Sequence, residues 1–199
     1  MKIIFATGNK GKVNEIRAIL KDVDAEVVTM KEAGIDIEID ENGSTFEENA
    51  VIKAKAIMEA SGCLTLADDS GLEVDYLNKE PGIHSARYMG HDTSYDVKNQ
   101  SIIDKLNGVP DEQRTARFVC AIAAAFPDGT IETVRATMEG RIGYEIAGEN
   151  GFGYDPVFYL PERGCSSADI SPEEKNEISH RGKALRLMRD KLIELGVIS

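Results

Sequence analysis

The residues best suited to do chemistry are carboxylates and lysines that recur beside turns. Asp68 and Asp69 follow the apolar run Leu64–Ala67 and precede Ser70-Gly71. Adjacent side chains on an extended chain point to opposite sides. One aspartate can therefore hold a cation or polarise water while its neighbour braces the backbone, although Asp, Ser and Gly are also ordinary turn residues. Glu41 is a second carboxylate near the start of the helical pattern that opens at Thr45. Magnesium takes one or two protein carboxylates and fills its shell with water and phosphate oxygens, so Glu41 and one of the aspartates would suffice. Lys53, two turns into that helix, is a candidate for the same cleft, whereas Lys55 reads as solvent-exposed.

Ala6-Thr7-Gly8-Asn9-Lys10-Gly11-Lys12 lies where a first strand turns into a first helix. Backbone N–H groups and the positive end of the helix dipole converge at such a turn and favour an anion. The segment is not a Walker A loop, because its glycines are too close and Val13 stands where a magnesium-binding hydroxyl belongs. It reads equally as an ordinary turn capped by Asn9. Gly151-Phe152-Gly153-Tyr154-Asp155-Pro156 offers aromatic surface for stacking on a base and a carboxylate for a base edge, or else a turn packed on the core. Lys175, Ser179, His180 and Arg181 could present donors to a carbonyl if a helix breaks near Ser179; otherwise they are a mildly basic helix start.

The elements that carry these residues are legible in outline. Lys2–Ala6 and Glu26–Met30 read as strands, and Lys10–Leu20 as a helix with Val13, Ile16, Ile19 and Leu20 on one face. Ile35, Ile37 and Ile39 alternate with Asp36, Glu38 and Asp40, the period of a strand with one acidic, solvated face. Thr45 with Glu48 predicts a capping box and a helix to about Ala60, with Phe46, Ala50, Ala54 and Ile57 inward. Residues 80–93 read as a loop and Asp96–Leu106 as a helix. Arg117–Phe126 and Thr130–Met138 form a hairpin about Pro127-Asp128-Gly129. Ser171-Pro172-Glu173-Glu174 starts another helix, and a last one turns Leu185, Met188, Leu192 and Leu195 to one side. Strand–helix alternation followed by a hairpin predicts an α/β fold, a long mixed sheet with two lobes around a cleft, within one domain over 1–199.

The chain of 199 residues has a net charge of -12, which excludes a surface built for DNA or RNA but not a phosphate ligand bridged by a divalent cation. Three widely spaced cysteines, Cys63, Cys120 and Cys165, predict neither a disulfide framework nor a zinc site. The apolar N-terminal run is too short for a signal peptide and no stretch is long enough to span a bilayer, so the cytoplasm is the expected location.

Taken together the motifs resemble the inosine/xanthosine triphosphate pyrophosphatase family, in its bacterial branch. The resemblance rests on Thr7-Gly8-Asn9 with Lys12, Thr45–Ala50 with Lys53-Ala54, and Ala67-Asp68-Asp69-Ser70-Gly71-Leu72. It continues through Pro81–Tyr88, Gly151–Pro156, Glu174-Lys175-Asn176 and Ser179-His180-Arg181. It implies a homodimeric hydrolase that uses magnesium to split ITP, dITP and XTP into the monophosphate and pyrophosphate. It also implies roles. Thr7, Gly8, Asn9, Lys10, Gly11 and Lys12 hold the phosphates with Lys53. Asp69 accepts the proton and binds metal, with Glu41 or Asp40 as the second metal carboxylate. Ser70 touches substrate, and Phe152, Gly153, Tyr154, Asp155, Lys175, His180 and Arg181 surround the base. Other nucleotide pyrophosphatases, and a sensing module without turnover, are the alternative readings.

Overall fold

A computed structural model describes the backbone of residues 1–199 and every side chain except that of Lys10. The predicted substrate contact of the Lys10 side chain therefore lies outside the described residues. The fold is α/β, with a seven-stranded mixed sheet in the order β2-β1-β3-β4-β5-β6-β7. The strands are β1 (Lys2–Phe5), β2 (Glu26–Thr29), β3 (Leu64–Val74), β4 (Thr115–Ala125), β5 (Ile131–Ile142), β6 (Phe158–Leu160) and β7 (Cys165–Ser166). The helices are α1 (Lys10–Ile19), α2 (Phe46–Ser61), α3 (Tyr95–Lys105), α4 (Pro172–Ile178) and α5 (His180–Glu194). β1 runs parallel to both β2 and β3, while β6 is antiparallel to β5 and β7.

The chain divides into two compact units, and β3, β4 and β5 contribute residues to each. The first comprises Met1–Asp69, Cys120–Ala136 and His180–Ser199. In it, Ile3, Ile4 and Phe5 are all buried, as expected of a parallel strand covered on both faces. Ile3 and Phe5 join Ile16, Leu66, Ile122, Leu185 and Met188 in one core, and α1 packs beside α5. α1 is capped by Asn9, whose Oδ1 accepts from the backbone N–H of Gly11 at 2.9 Å and of Lys12 at 3.3 Å. In α2 the predicted inward residues Phe46, Ala50, Ala54 and Ile57 are buried, and Gly62 ends the helix in the left-handed region.

The second unit comprises Ser70–Val119 and Thr137–Ser179. Leu72, Val74, Ile102, Leu106, Phe118, Ile142, Val157 and Phe158 form its core. α4 carries the full predicted capping box: Ser171 accepts from the Glu174 N–H, and the Glu174 carboxylate accepts from the Ser171 N–H. α4 ends at Ser179, the predicted break, and α5 begins at His180.

Several expectations are corrected. Residues 35–40 are in no strand; Ile37 is exposed and Ile35 and Ile39 are half-buried. Alternating faces are a property of any extended chain, and pairing needs a neighbour that the pattern does not reveal. The box at Thr45 is only half formed: Thr45 accepts from the Glu48 N–H, but the Glu48 carboxylate takes the N–H and hydroxyl of Ser44. Residues 82–87 form a 3₁₀ helix within the predicted loop. Leu195 lies past the end of α5 and is exposed, while Ile198 joins the core instead.

Candidate active site

Strand register brings the first set of residues together. Phe5 pairs with Leu66 across parallel strands, and the Ala6 N–H donates to the Leu66 carbonyl at 2.8 Å. Two residues further on, Thr7 and Asp68 therefore lie beside one another, past the carboxyl end of β1 and midway along β3. That end is where ligands collect in parallel α/β sheets. Asp68 and Asp69 lie inside β3, not in a turn after it, so the alternation of a strand governs them: Asp68 is buried and Asp69 half-buried.

Asp68 gathers cations. Its Oδ2 accepts from Lys12 Nζ at 2.8 Å and from Arg181 Nε at 3.4 Å, and its backbone carbonyl accepts from Lys53 Nζ at 3.0 Å. Arg181 also donates to Glu15 Oε2 at 2.5 Å. Burial works to raise the Asp68 carboxyl, but Lys12, Arg181 and Lys53 outweigh it and hold the group well below the usual carboxylate range. Asp69 goes the other way. Burial raises it first, Lys53 and a hydrogen bond from Asn49 pull it down, and the charges of Glu41 and Asp68 push it back up. The outcome is a carboxyl group pushed up to about 6.

Lys53 Nζ also pairs with Glu41 Oε2 at 3.1 Å. Burial opposes its charge, yet Asp68, Glu41 and Asp69 raise its proton affinity above the ordinary lysine value. Asp40, the other candidate for the second metal carboxylate, is exposed, and its carboxylate accepts from Asn42 Nδ2 at 3.5 Å. Asn49 carries no role among the sequence motifs. It is buried, donates to Asp69 Oδ2 at 3.2 Å and accepts from the Gly43 N–H at 2.8 Å. The signal for it was present, because Asn49 and Lys53 are four residues apart and share a face of α2. Glu15 was missed too, being three residues after Lys12 on α1.

The carboxylates fit a hard divalent cation. Lys12 pairs with Asp68, and Arg181 with Asp68 and Glu15, whereas Glu41 and Asp69 both lie in the field of Lys53, so this pair can offer carboxylate oxygens to a cation. Among the described residues no cluster of three or more His, Cys, Asp or Glu could cage a metal. Two carboxylates nevertheless match magnesium, which keeps waters and phosphate oxygens in its shell. Thr7 Oγ1 accepts from the Asn9 N–H at 3.2 Å, and with Asn9 holding Gly11 and Lys12 the turn already spends three of its N–H groups internally.

The second unit holds the other set. Asp155 is buried and its carboxylate is fully engaged. Oδ2 accepts from the Phe152 N–H at 2.8 Å and from Lys175 Nζ at 2.5 Å, and Oδ1 accepts from Ser167 Oγ at 2.9 Å. Tyr154 is buried as well, its hydroxyl donating to the Ser85 carbonyl at 2.7 Å and its ring edge-on to Tyr95. Tyr154 and Asp155 therefore brace the loop from within, a correction to the expectation that they present stacking surface and a base-reading carboxylate. Phe152 is the exposed aromatic, with Lys175 Nζ 4.8 Å from its ring centroid. Gly151 at φ 76° is required here, since a Cβ would meet Asp155 Oδ2 at 2.3 Å. Ser70 is half-buried in the second unit's share of β3. His180 and Arg181 are buried in the first unit, at the start of α5. Cys120 is buried and its thiol is pushed up to about 12, chiefly by burial, which disfavours a nucleophilic role.

Comparison with known proteins bears on the chain as a whole. The Ham1 family model matches residues 3–191. A protein of Desulforamulus reducens named dITP/XTP pyrophosphatase is 49% identical over 186 residues, covering 94% of this chain and 92% of its own. The solved Ham1 protein of Staphylococcus aureus superposes with a TM-score of 0.89 at 41% identity, over 98% of this chain and 99% of that one. A HAM1 protein from Coxiella burnetii gives 0.90 at 38% identity, with the same coverage.

Proposed function

This chain belongs to the Ham1 family, and from that premise we propose that it is a nucleoside-triphosphate pyrophosphatase that hydrolyses dITP, ITP and XTP to the monophosphate and pyrophosphate. The observation that carries the reading is Asp69, a carboxyl group pushed up to about 6 beside a second carboxylate and a half-buried lysine. Such a group is matched to taking a proton near neutral pH. Asp69 orients and deprotonates the water that attacks the α-phosphorus, and Asn49 fixes its orientation. Lys12 and Lys53 neutralise charge on the phosphates, with the turn from Thr7 to Gly11 beside them. Glu41 and Asp69 would hold magnesium, which when bound supplies charge neutralisation and a more acidic water.

Phe152 gives the base its stacking surface and Lys175 a donor for the carbonyl at the purine six-position. The resemblance adds Ser70, Gly153, His180 and Arg181 to the substrate contacts. Adenine presents an amino group at that position, so a buried donor would be left unpaired, a loss of about 1–3 kcal/mol. The reading treats 1–199 as one catalytic domain, active as a homodimer in the cytoplasm, that clears deaminated purines from the nucleotide pool.

The test is pyrophosphate release from ITP, XTP, GTP and ATP, with and without magnesium, by the wild type and by Asp69→Asn. The expected result is magnesium-dependent release from ITP and XTP that the variant lacks. Equal release from all four substrates would remove the selectivity claim, and binding without release would favour a sensing module.

A further inference from the structure

α3 has an unusual buried face. Lys98, Asn99, Ile102 and, at the C-cap, Leu106 follow helical spacing, and the lower part is apolar and fully buried. The upper part carries a lysine and an asparagine, each only 1% exposed. Both spend themselves on backbone carbonyls of the second unit. Lys98 Nζ donates to the Ala86 carbonyl at 2.8 Å, and Asn99 Nδ2 donates to the Gly153 carbonyl at 3.0 Å. Asn99 Oδ1 is buried and has no hydrogen-bond partner. The amide cannot be turned round, because a carbonyl facing Gly153 demands the NH₂ end.

A buried amide with an orphaned oxygen is a poor structural choice, since the unmet acceptor costs about 1–3 kcal/mol and an apolar side chain of the same shape avoids it. Local rules are broken in this way chiefly where function requires it. The single bond that Asn99 makes falls on Gly153, between Phe152 and the residues that brace the loop. Tyr154 is tied to Ser85, and Asp155 to Ser167 and Lys175. Asn99 holds the carbonyl of the residue next to Phe152.

We propose that Asn99 is a positioning residue for base recognition: through the Gly153 carbonyl it sets the stance of the Phe152 ring and of the Lys175 ammonium over it. This rests on the reading that Phe152 and Lys175 meet the base. Asn99 touches no reacting atom, so it acts on how tightly the base is held and not on the phosphate chemistry.

The experiment compares Asn99→Leu, Asn99→Ser and Phe152→Ala with the wild type, measuring kcat and KM for ITP, inhibition by inorganic pyrophosphate, and Tm. Pyrophosphate probes the phosphate end alone. The expected result for Asn99→Leu is a KM for ITP raised about tenfold, the scale of one neutral hydrogen bond. kcat should stay within about twofold and pyrophosphate inhibition should not change. Asn99→Ser gives the same split if the leucine variant folds poorly. A fall in Tm with KM, kcat and pyrophosphate inhibition all disturbed would make Asn99 merely structural and overturn the proposal. An unchanged KM in both Asn99 variants, with KM raised in Phe152→Ala, would overturn it while leaving the base-loop reading intact. An unchanged KM in Phe152→Ala would remove that reading and the proposal with it.

Discussion

In the first unit Asp68 and Asp69 stand side by side on β3, yet their surroundings drive them in opposite directions. In the second, Asp155 and Lys175 meet at 2.5 Å and the remaining acceptor positions of Asp155 go to Ser167 and the Phe152 N–H. The second arrangement is closed: each charge finds its complement within the second unit and the result is a fixed shape. The first is left in tension, with three carboxylates contending for Lys53. The second kind of environment serves shape, because every donor around the carboxylate is held in place. The difference is what the proposed function draws on in giving the proton transfer to Asp69 and a bracing part to Asp155.

The sharpest way to break that comparison is Asp69→Asn. Loss of a general base lowers kcat by about 10²–10⁴-fold, read as pyrophosphate release from ITP. Stability should move the other way. The Asp69 carboxyl is pushed up to about 6 from an ordinary 3.8, so its charged form is disfavoured by folding. The penalty is absent below pH 3.8, grows as pH rises, and is complete above 6. Without magnesium, Asp69→Asn should therefore be more stable than wild type at pH 7, by on the order of 1–2 kcal/mol after solvent screening. The gap should vanish near pH 4. Urea titrations at the two pH values check it, and equal stability at pH 7 would mean that Asp69 is not strained.

Asp68→Asn sharpens the contrast one residue away. Its removal leaves the buried Arg181 and the half-buried Lys12 with less counter-charge, and breaking a buried pair costs about 3–5 kcal/mol. Because the Asp68 carboxyl is held below its ordinary value, the stability it supplies is present above pH 3.8 and is lost as pH falls further. Denaturation at pH 7 should show the loss in full. Neighbouring aspartates whose asparagine variants shift stability in opposite directions would establish the two roles; shifts of the same sign would not.

On the closed side, Gly151→Ala tests whether shape is what the second unit supplies. The added Cβ meets Asp155 Oδ2 at 2.3 Å on a backbone at φ 76°. Such strain costs about 1–3 kcal/mol, and displacement of Asp155 should raise the KM for ITP while inhibition by pyrophosphate stays unchanged.

How far the sequence foretells this depends on the range of each interaction. α1, α2 and the β4–β5 turn are local, and periodicity with caps locates them within a residue or two. Asn9 was legible as a cap, and so were Ser171 and the break at Ser179. The acidic repeat at 36–40 misled because alternation records an extended chain and not its neighbours. The Asp68–Asp69 pair looked like a turn because those residue types favour turns, whereas the sheet carried β3 on to Val74. Tyr154 and Asp155 looked like a ligand surface, since nothing local says that Ser85, Ser167 and Lys175 would enclose them. Within the candidate site, residue types were legible and partners were not. Arg181 reaches Asp68 across 113 positions of sequence, and only the fold brings that pair together.

The smallest expected effect comes from Gly8, and it separates the two ends of the comparison in a different way. Gly151 is demanded by the protein's own loop. Gly8 is not: its φ lies outside the left-handed region and a Cβ there would meet nothing within 4 Å. Nothing in the folded chain requires a glycine at position 8. Gly8→Ala should therefore leave stability within about 0.5 kcal/mol of wild type or raise it slightly, since alanine restricts the unfolded chain. If a phosphate approaches the turn between Thr7 and Asn9 as closely as the proposed function requires, the methyl group stands in its way. The KM for ITP and the inhibition constant of pyrophosphate should then rise together, by a few-fold, with kcat largely retained. Calorimetry and inhibition assays on the one variant decide it. A variant as stable as wild type that binds pyrophosphate equally well would move the phosphates away from this turn and onto Lys12 and Lys53 alone.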